Sequence, residues 1–349
     1  MNLSLCKKAL VIKLRHLGDV LLTSPVFSNL KKAAPHLDID AYVYQESLSV
    51  LEDHPDIHQI FTYDPAWKKE NFFSRVSKEI SIMQTLKKQN YDLVINLTEG
   101  DRGAIVSILS GAKIRVGIDP QGKGFVGKKK IYTHIVKHCG SPRHTVERNL
   151  DSLRCMGIFP LETERKLIFS ISQGVISKVR QDISRYGLDE KNFILIHPSS
   201  RWKFKCWSIP KYQELIRKLL DRKEKIVLTS GKDPVEMKMI EEIIAPFGSS
   251  VINLSGQISI KELGAWISFS KLLFCVDSLP LHIASALLAK VVVLFGPSSD
   301  LLWGPWQNPR ATVIRKNISC RPCSLDGCGG SKGSDCLFSL DVDEVLSTF

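Results

Sequence analysis

Two acidic residues stand at points where predicted strands end and could carry proton or phosphate chemistry. Asp19 lies in "VIKLRHLGDV", directly after an apolar run, and Asp277 lies in "LLFCVDS" in the second half of the chain. A carboxylate at such a junction can cap the following helix or take a proton as a general base. The local sequence leaves both roles open for Asp19.

A second group of polar residues occurs in "HPSSRWKFKCWSIPKY", where a strand gives way to a basic loop ahead of a helix. Hydroxyls, cations and loop amides near a helix N-terminus suit a pyrophosphate. The alternative is a basic surface loop that its tryptophans anchor to the core. The candidate phosphate-binding residues in this stretch are Ser199, Ser200, Arg201 and Lys205.

The stretch "CVDSLPLHIASALL" brings an acid, a hydroxyl and a histidine to one strand end. Asp277 and Ser278 could cap the next helix and present its amides to an anionic group. A single histidine near a helix start is usually structural, so His282 is of interest because it shares a strand end with Asp277.

The elements that must position these residues follow an alternating β and α pattern, which is typical of parallel α/β folds. Ligands of open parallel sheets gather at the carboxyl ends of the strands, where these candidates occur. A charged stretch, "PLETERKL", separates two such units, and we place the boundary between residues 1–170 and 171–349. The predicted strands of the first half are "KALVIKL", "DIDAYVY", "QIFTYD", "DLVINL" and "IRVGI", and its predicted helices are "VLLTSPVFSNLKKAAP", "SLSVLEDHP", "SRVSKEISIMQTLKKQN" and "HTVERNLDSLRCMGI".

The 349 residues carry a formal net charge of +12, which favours an anionic partner. The chain has no G-x-G-x-x-G or P-loop pattern, which argues against a dinucleotide dehydrogenase and a P-loop NTPase. No secretory signal or uninterrupted membrane span is apparent, so a cytoplasmic protein is expected. The basic stretch "GKGFVGKKKIYTHIVKH" is either a phosphate-seeking patch or a solvated loop, and its candidate lysines are Lys123, Lys128, Lys129 and Lys130.

Nine cysteines, an odd and scattered number, argue against a disulfide framework. Four of them lie in "CRPCSLDGCGGSKGSDC", where the first pair has CxxC spacing but the rest matches no zinc-finger pattern. Whether Cys320, Cys323, Cys328 and Cys336 bind a metal, form disulfides or stay reduced is left open.

Taken together, "VIKLRHLGDVLLTSPV", "HTVERNLDSL", "SSRWKFKCW" and "VDSLPLHIASAL…VVVLFGPSS" resemble the ADP-heptose:lipopolysaccharide heptosyltransferases, glycosyltransferase family 9, and are most similar to the heptosyltransferase III branch. The resemblance extends from about residue 8 to about residue 336 and rests on several motifs in order. It implies an α/β, GT-B fold, with two Rossmann-like domains whose parallel sheets face across a cleft. The N-terminal domain would bind the acceptor. The C-terminal domain, with its Cys-containing loop and tail, would bind the nucleotide-sugar.

The resemblance also implies residue roles. Asp19 corresponds to the family's general base and Lys205 to the lysine that neutralises the donor diphosphate. The hydroxyls of Ser199 and Ser200, with Arg201, and the strand-end group of Asp277, Ser278 and His282 would complete the donor site. One departure is that Ser278, Leu279 and Pro280 stand where other branches often have Thr-Gly after the strand-end Asp, so the loop amides could meet the phosphates differently.

The expected activity is inverting transfer of heptose from ADP-heptose to the heptosylated inner core of lipopolysaccharide, without metal or other cofactor. The anionic acceptor would explain the excess of Lys and Arg, and the protein would be peripheral on the cytoplasmic face of the inner membrane. Two alternatives remain: a GT-B transferase or epimerase acting on another nucleotide-sugar, and a non-catalytic basic module that binds polyanions or membranes. No nucleic-acid partner is expected, because no nucleic-acid motif is present.

Overall fold

A computed structural model describes residues 3–349 of the chain. The chain forms two compact units, the first ending at Ser170 and the second running from Ile171 to Phe349. Each unit is built around its own six-stranded parallel sheet.

The sheet of the first unit has the strand order β3-β2-β1-β4-β5-β6, with every neighbouring pair parallel. Its central strands are buried, as a sheet covered on both faces requires. The strands are β1 (Lys8–Lys13), β2 (Asp38–Tyr44), β3 (Gln59–Tyr63), β4 (Leu93–Asn96), β5 (Ile114–Ile118) and β6 (His134–Val136).

Helices connect these strands and cover the sheet. A buried cluster of residues from β1, β2, β3 and β4, with side chains from α4 and α5, forms the core. The helices are α1 (Leu17–Leu21), α2 (Ser24–Ala33), α3 (Leu48–Leu51), α4 (Phe72–Lys88), α5 (Asp101–Leu109) and α6 (Thr145–Arg154).

The second unit repeats this topology. Its sheet has the order β12-β11-β10-β7-β8-β9, so in both units the first strand lies between the second and the fourth. The three central strands β7, β10 and β11 are buried along their whole length. The strands are β7 (Phe193–His197), β8 (Lys225–Leu228), β9 (Ile252–Asn253), β10 (Leu272–Val276), β11 (Val291–Leu294) and β12 (Ala311–Ile314).

The longer helices of the second unit are amphipathic. The helix that follows β7 has Pro210 in its first turn. Its buried residues are spaced as one face of a helix and are Tyr212, Leu215, Ile216 and Leu219. The helices are α7 (Gln173–Arg185), α8 (Ile209–Asp221), α9 (Pro234–Ile244), α10 (Ile260–Phe269), α11 (Leu279–Ala286), α12 (Asp300–Trp303), α13 (Asp335–Phe338) and α14 (Val342–Leu346).

Several predicted elements need correction. The single helix expected from "VLLTSPVFSNLKKAAP" is two helices, α1 and α2, and the second has a proline in its first turn. The helix expected from "SLSVLEDHP" is the single turn α3. Strand β6 was not predicted and lies inside the basic stretch that the sequence presents as a loop. The other elements that were not predicted are β12 and the helices α5, α7, α12, α13 and α14.

Of the helices in residues 3–349, none combines the length and hydropathy that a bilayer crossing requires.

Candidate functional site

Asp19 lies in α1, directly after the end of β1. The N-cap of this helix is His16, and no side chain makes the capping hydrogen bond. The half-buried carboxylate of Asp19 accepts no hydrogen bond from any other residue in the range 3–349. The carboxylate therefore does not cap a helix, which was one of its two possible roles.

The surroundings of Asp19 are charged and mostly basic. Burial lowers the pKa of the Lys13 ammonium to about 8, and the charge of Asp19 opposes this shift. Two arginines flank the same region and share one carboxylate: Nη2 of Arg15 lies 3.9 Å and Nη2 of Arg148 lies 3.8 Å from Glu99. These loose, exposed pairs leave both guanidinium groups able to contact an incoming anion.

The lysines of the basic stretch occupy different environments. The side chain of Lys128 is buried, donates a hydrogen bond to the Glu99 carbonyl, and lies 3.0 Å from a carboxylate oxygen of Asp101. Lys129 is exposed and pairs with Asp119 at 2.9 Å. Lys123 and Lys130 are also exposed. The stretch is thus only partly a free cationic surface.

In the second unit, Lys205 and Asp277 form a direct ion pair. The Nζ of Lys205 lies 2.7 Å from Oδ2 of Asp277, and the side chains are 21% and 5% exposed. Lys205 ends a short 3-10 turn after β7 (Lys203–Lys205), and Asp277 follows β10. Because β7 and β10 are neighbours, the two strand ends bring these distant residues together.

The loop after β7 is tied to α9, the helix that follows the neighbouring strand β8. The hydroxyl of Ser199 donates to Oε2 of Glu236 at 2.6 Å, and the hydroxyl of Ser200 accepts from the Trp202 amide at 3.4 Å. Arg201 is exposed. Glu236 lies in the first turn of α9, after β8, and it was not among the residues predicted from the sequence.

Ser278 and His282 lie at the start of α11. Ser278 is the N-cap residue, but its hydroxyl donates to the Val276 carbonyl at 3.2 Å and does not cap the helix. Among the described residues, neither Asp277 nor Ser278 caps this helix as expected. The Asp277 carboxylate instead accepts a hydrogen bond from the Lys205 ammonium. His282 is buried in the same helix.

The loop between β11 and α12 carries the "GPSS" residues and is held from the C-terminal segment. The buried guanidinium of Arg321 donates to the Gly296 carbonyl at 2.5 Å, to the Ser298 carbonyl at 3.1 Å and to Asp300 at 3.0 Å. The Ser298 hydroxyl is buried, with no hydrogen-bond partner in residues 3–349. This loop thus presents an unused polar group at the same sheet edge as the Lys205–Asp277 pair.

The four late cysteines all carry free thiols. Cys320, Cys323 and Cys328 are exposed, whereas Cys336 is buried, and burial raises its pKa. Across residues 3–349 no group of three or more Cys, His, Asp or Glu side chains is arranged to hold a metal ion.

Sequence reasoning missed several residues that the structure adds to these sites. Lys13 follows the apolar residues 9–12 of β1, and a lysine at this strand end was a usable signal. No feature of the sequence pointed to Glu236 or Arg321, because each contacts its partner only through the tertiary fold.

Known proteins match most of the chain. The family model described as "Glycosyltransferase family 9 (heptosyltransferase)" matches residues 80–331. The chain is also 33% identical over 294 residues to lipopolysaccharide heptosyltransferase 3 of Escherichia coli K12, with 84% of this chain and 83% of the relative covered.

The chain belongs to glycosyltransferase family 9.

It is therefore a glycosyltransferase of the heptosyltransferase family, and the interpretation as a non-catalytic binding module is wrong. Solved structures agree on the fold. A family 9 glycosyltransferase from Veillonella parvula superposes with a TM-score of 0.83 at 22% identity, with 100% of this chain and 97% of that chain covered. E. coli ADP-heptose lipopolysaccharide heptosyltransferase II gives a TM-score of 0.77 at 20% identity, with coverage of 98% and 97%. The α/β, GT-B fold class expected from the sequence is confirmed.

Proposed function

We propose that this transferase moves heptose from ADP-heptose to the heptosylated inner core of lipopolysaccharide with inversion at the anomeric carbon, and that Asp19 is the general base. The observation that carries the proposal is the free carboxylate of Asp19 at the end of β1, among cations suited to an anionic acceptor. The names of the relatives support the choice of donor and acceptor.

The reaction needs one proton transfer and one displacement. Asp19 accepts the proton of the acceptor hydroxyl while that oxygen bonds to the anomeric carbon of the heptose. The bond from the anomeric carbon to the diphosphate oxygen breaks, and its electron pair leaves with ADP. No metal or redox partner takes part in this proposal.

The second unit is proposed to bind the donor. The leaving diphosphate gains negative charge, which a positioned ammonium stabilises. Lys205 would supply this charge from a position that Asp277 defines at 2.7 Å. The hydroxyls of Ser200 and Ser298 would then donate to phosphate oxygens, and Arg201 would contact the same group from the exposed side.

The base assignment is tested with Asp19→Ala and the isosteric Asp19→Asn. We expect both variants to lose at least about a thousandfold in kcat while ADP affinity, measured by titration calorimetry, stays within about twofold. Asp53→Asn is the matched control, because Asp53 is exposed and has a left-handed φ of 60°, which Asn tolerates. Wild-type turnover by Asp19→Ala would exclude Asp19 as the base.

The substrate assignment is tested by incubating the enzyme with a panel of ADP- and UDP-sugars and core-truncated lipopolysaccharides. A heptose mass increment on a heptosylated core, seen only with ADP-heptose, is the expected result. Transfer or epimerisation with a UDP-sugar, and none with ADP-heptose, would favour the other nucleotide-sugar enzyme. Anomeric NMR of the product would report inversion.

We also propose that the enzyme is peripheral on the cytoplasmic face of the inner membrane and docks through the tip of its basic stretch. Val126 is fully exposed and Phe125 is 40% exposed, between Gly124 and Gly127, and the exposed Lys123, Lys129 and Lys130 flank these two residues in sequence. Exposed apolar residues with lysines on both sides in sequence fit an anionic bilayer surface.

Sedimentation with vesicles of phosphatidylglycerol and phosphatidylethanolamine tests the docking. We expect Val126→Asp to weaken vesicle binding at least fivefold. Val235→Asp, the same substitution at an exposed valine of α9, should leave it unchanged. Equal binding by both variants would place the docking surface elsewhere.

A further inference from the structure

A buried lysine at the end of β1 interacts electrostatically with the proposed base and has no part in the reaction described so far. Lys13 is the last residue of β1 and is 8% exposed. Its Nζ donates to the Leu97 carbonyl at 3.1 Å and to Oδ1 of Asn149 at 3.2 Å. A buried ammonium is costly, so its retention at this position calls for a reason.

The hydrogen bonds continue from Lys13 to the helix that carries Asp19. Asn149, a buried residue of α6, uses its amide oxygen to accept from Lys13 and its amide nitrogen to donate to the Leu22 carbonyl at 2.9 Å. Leu22 is the C-cap of α1. The carbonyl groups at a helix C-terminus lack partners within the helix, and α1 has only five residues, so its position depends on such outside contacts.

Lys13 also contributes charge. The charged groups that act on the pKa of Lys13 come from four neighbouring segments, and Asp19 has the largest effect among these charges. These groups are Asp19 on α1, Arg15 in the loop after β1, Glu99 in the loop after β4 and Arg148 on α6.

We infer that Lys13, acting through Asn149, is a positioning residue for Asp19: the relay from Lys13 to Leu22 fixes α1, the helix that carries the carboxylate. The inference rests on the proposed role of Asp19 as the base. It adds a consequence for pH, because Lys13 has a pKa of about 8 and its deprotonation replaces charge-assisted hydrogen bonds to Leu97 and Asn149 with weaker neutral ones.

The test compares Lys13→Met with Lys8→Met. Both lysines lie on β1, and Lys8, at the opposite end of the strand, donates to Gln89 Oε1 at 2.7 Å. We expect Lys13→Met to lower kcat about ten- to a hundredfold with little change in ADP affinity. The decline of its kcat/KM above about pH 8 should disappear, because the titrating ammonium is gone. Lys8→Met should behave like the wild type in each respect.

Lys13→Arg keeps the inference testable if the methionine variant does not fold. The guanidinium stays protonated over the whole pH range of the assay, so this variant should keep most of the wild-type kcat and lose the decline near pH 8. A Lys13→Met enzyme whose kcat and pH profile match Lys8→Met would overturn the inference, as would a Lys13→Arg enzyme that still declines near pH 8. If Asp19→Ala is inactive and Lys13→Met is normal, only the role of Lys13 fails. If Asp19→Ala is active, the proposed base itself is wrong.

Discussion

The first strands of the two units end in buried bases that carry different charges at neutral pH. β1 ends at Lys13, whose pKa burial lowers to about 8, so the side chain is charged at pH 7. β7 ends at His197, whose pKa burial lowers to about 4, so it is neutral and bonds through Nδ1 to Thr229 Oγ1 at 2.9 Å. The same topology thus supports two different sites. The strand that precedes the proposed base ends in a cation, and the strand that precedes the proposed donor loop ends in a neutral ring.

In each unit, an ion pair joins the segments that follow the first and fourth strands, and the two ion pairs differ in burial and in length. In the first unit, Arg15 and Glu99 are about half exposed and 3.9 Å apart. In the second, Lys205 and Asp277 are largely buried and 2.7 Å apart. The cation follows the first strand and the acid follows the fourth in both units. The two pairs therefore share a topology and differ in burial and in the distance between their charged atoms.

The largest difference between these pairs should appear when each acid is neutralised. Asp277→Asn leaves the Lys205 ammonium without its partner in a largely buried site, and we expect a loss of about 3 kcal/mol in unfolding free energy. Glu99→Gln, the matched change in the exposed pair, should cost less than about 0.5 kcal/mol. Urea denaturation of both variants measures this contrast, and equal losses would contradict it.

The two buried bases should respond differently to acid. The pKa of His197 is 6.5 in the unfolded chain, and burial lowers it to about 4 in the folded protein. Since the unfolded state binds more protons in that window, stability falls as pH is lowered through it, by about 2 kcal/mol from pH 7 to pH 5. His197→Gln should lack this part of the loss in denaturation at the two pH values. Lys13→Met should retain it, because Lys13 is protonated in both states there.

The basic stretch offers a similar contrast within the first unit. Lys128→Met removes a buried ammonium from Asp101 and the Glu99 carbonyl, and we expect a loss of about 2 kcal/mol. Lys130→Met, at an exposed position, should leave stability unchanged and weaken acceptor binding. Thermal unfolding and acceptor KM separate the two. An acceptor KM unaffected by Lys130→Met would remove that residue from the proposed acceptor surface.

The smallest expected effect concerns the donor loop. Ser199→Ala removes the hydroxyl that donates to Glu236 at 2.6 Å, which should cost about 1 kcal/mol. The loop after β7 would lose one tie to α9, so the KM for ADP-heptose should rise more than kcat falls. A fall in kcat at unchanged KM would instead indicate that Ser199 acts on the transition state.

The sequence by itself determined the alternation of strands and helices, the strand-end position of the polar residues and the family resemblance. Hydrophobic period and motif order are local properties, and most of the strands predicted in the first half appear within a residue or two of their predicted limits. The short elements were not predicted correctly. The helix break after α1, the single turn α3 and the strand β6 depend on packing and capping that a window of sequence does not contain.

Only the tertiary structure decided what each polar residue contacts. It showed that the Asp19 carboxylate is not used as a cap, that Asp277 pairs with Lys205 across 72 residues of sequence, and that Lys128 is buried although its neighbours are exposed. The reason is physical: charge state and hydrogen bonding depend on burial and on groups brought together by neighbouring strands. Sheet order sets those neighbours, and sheet order is not a local property of the chain.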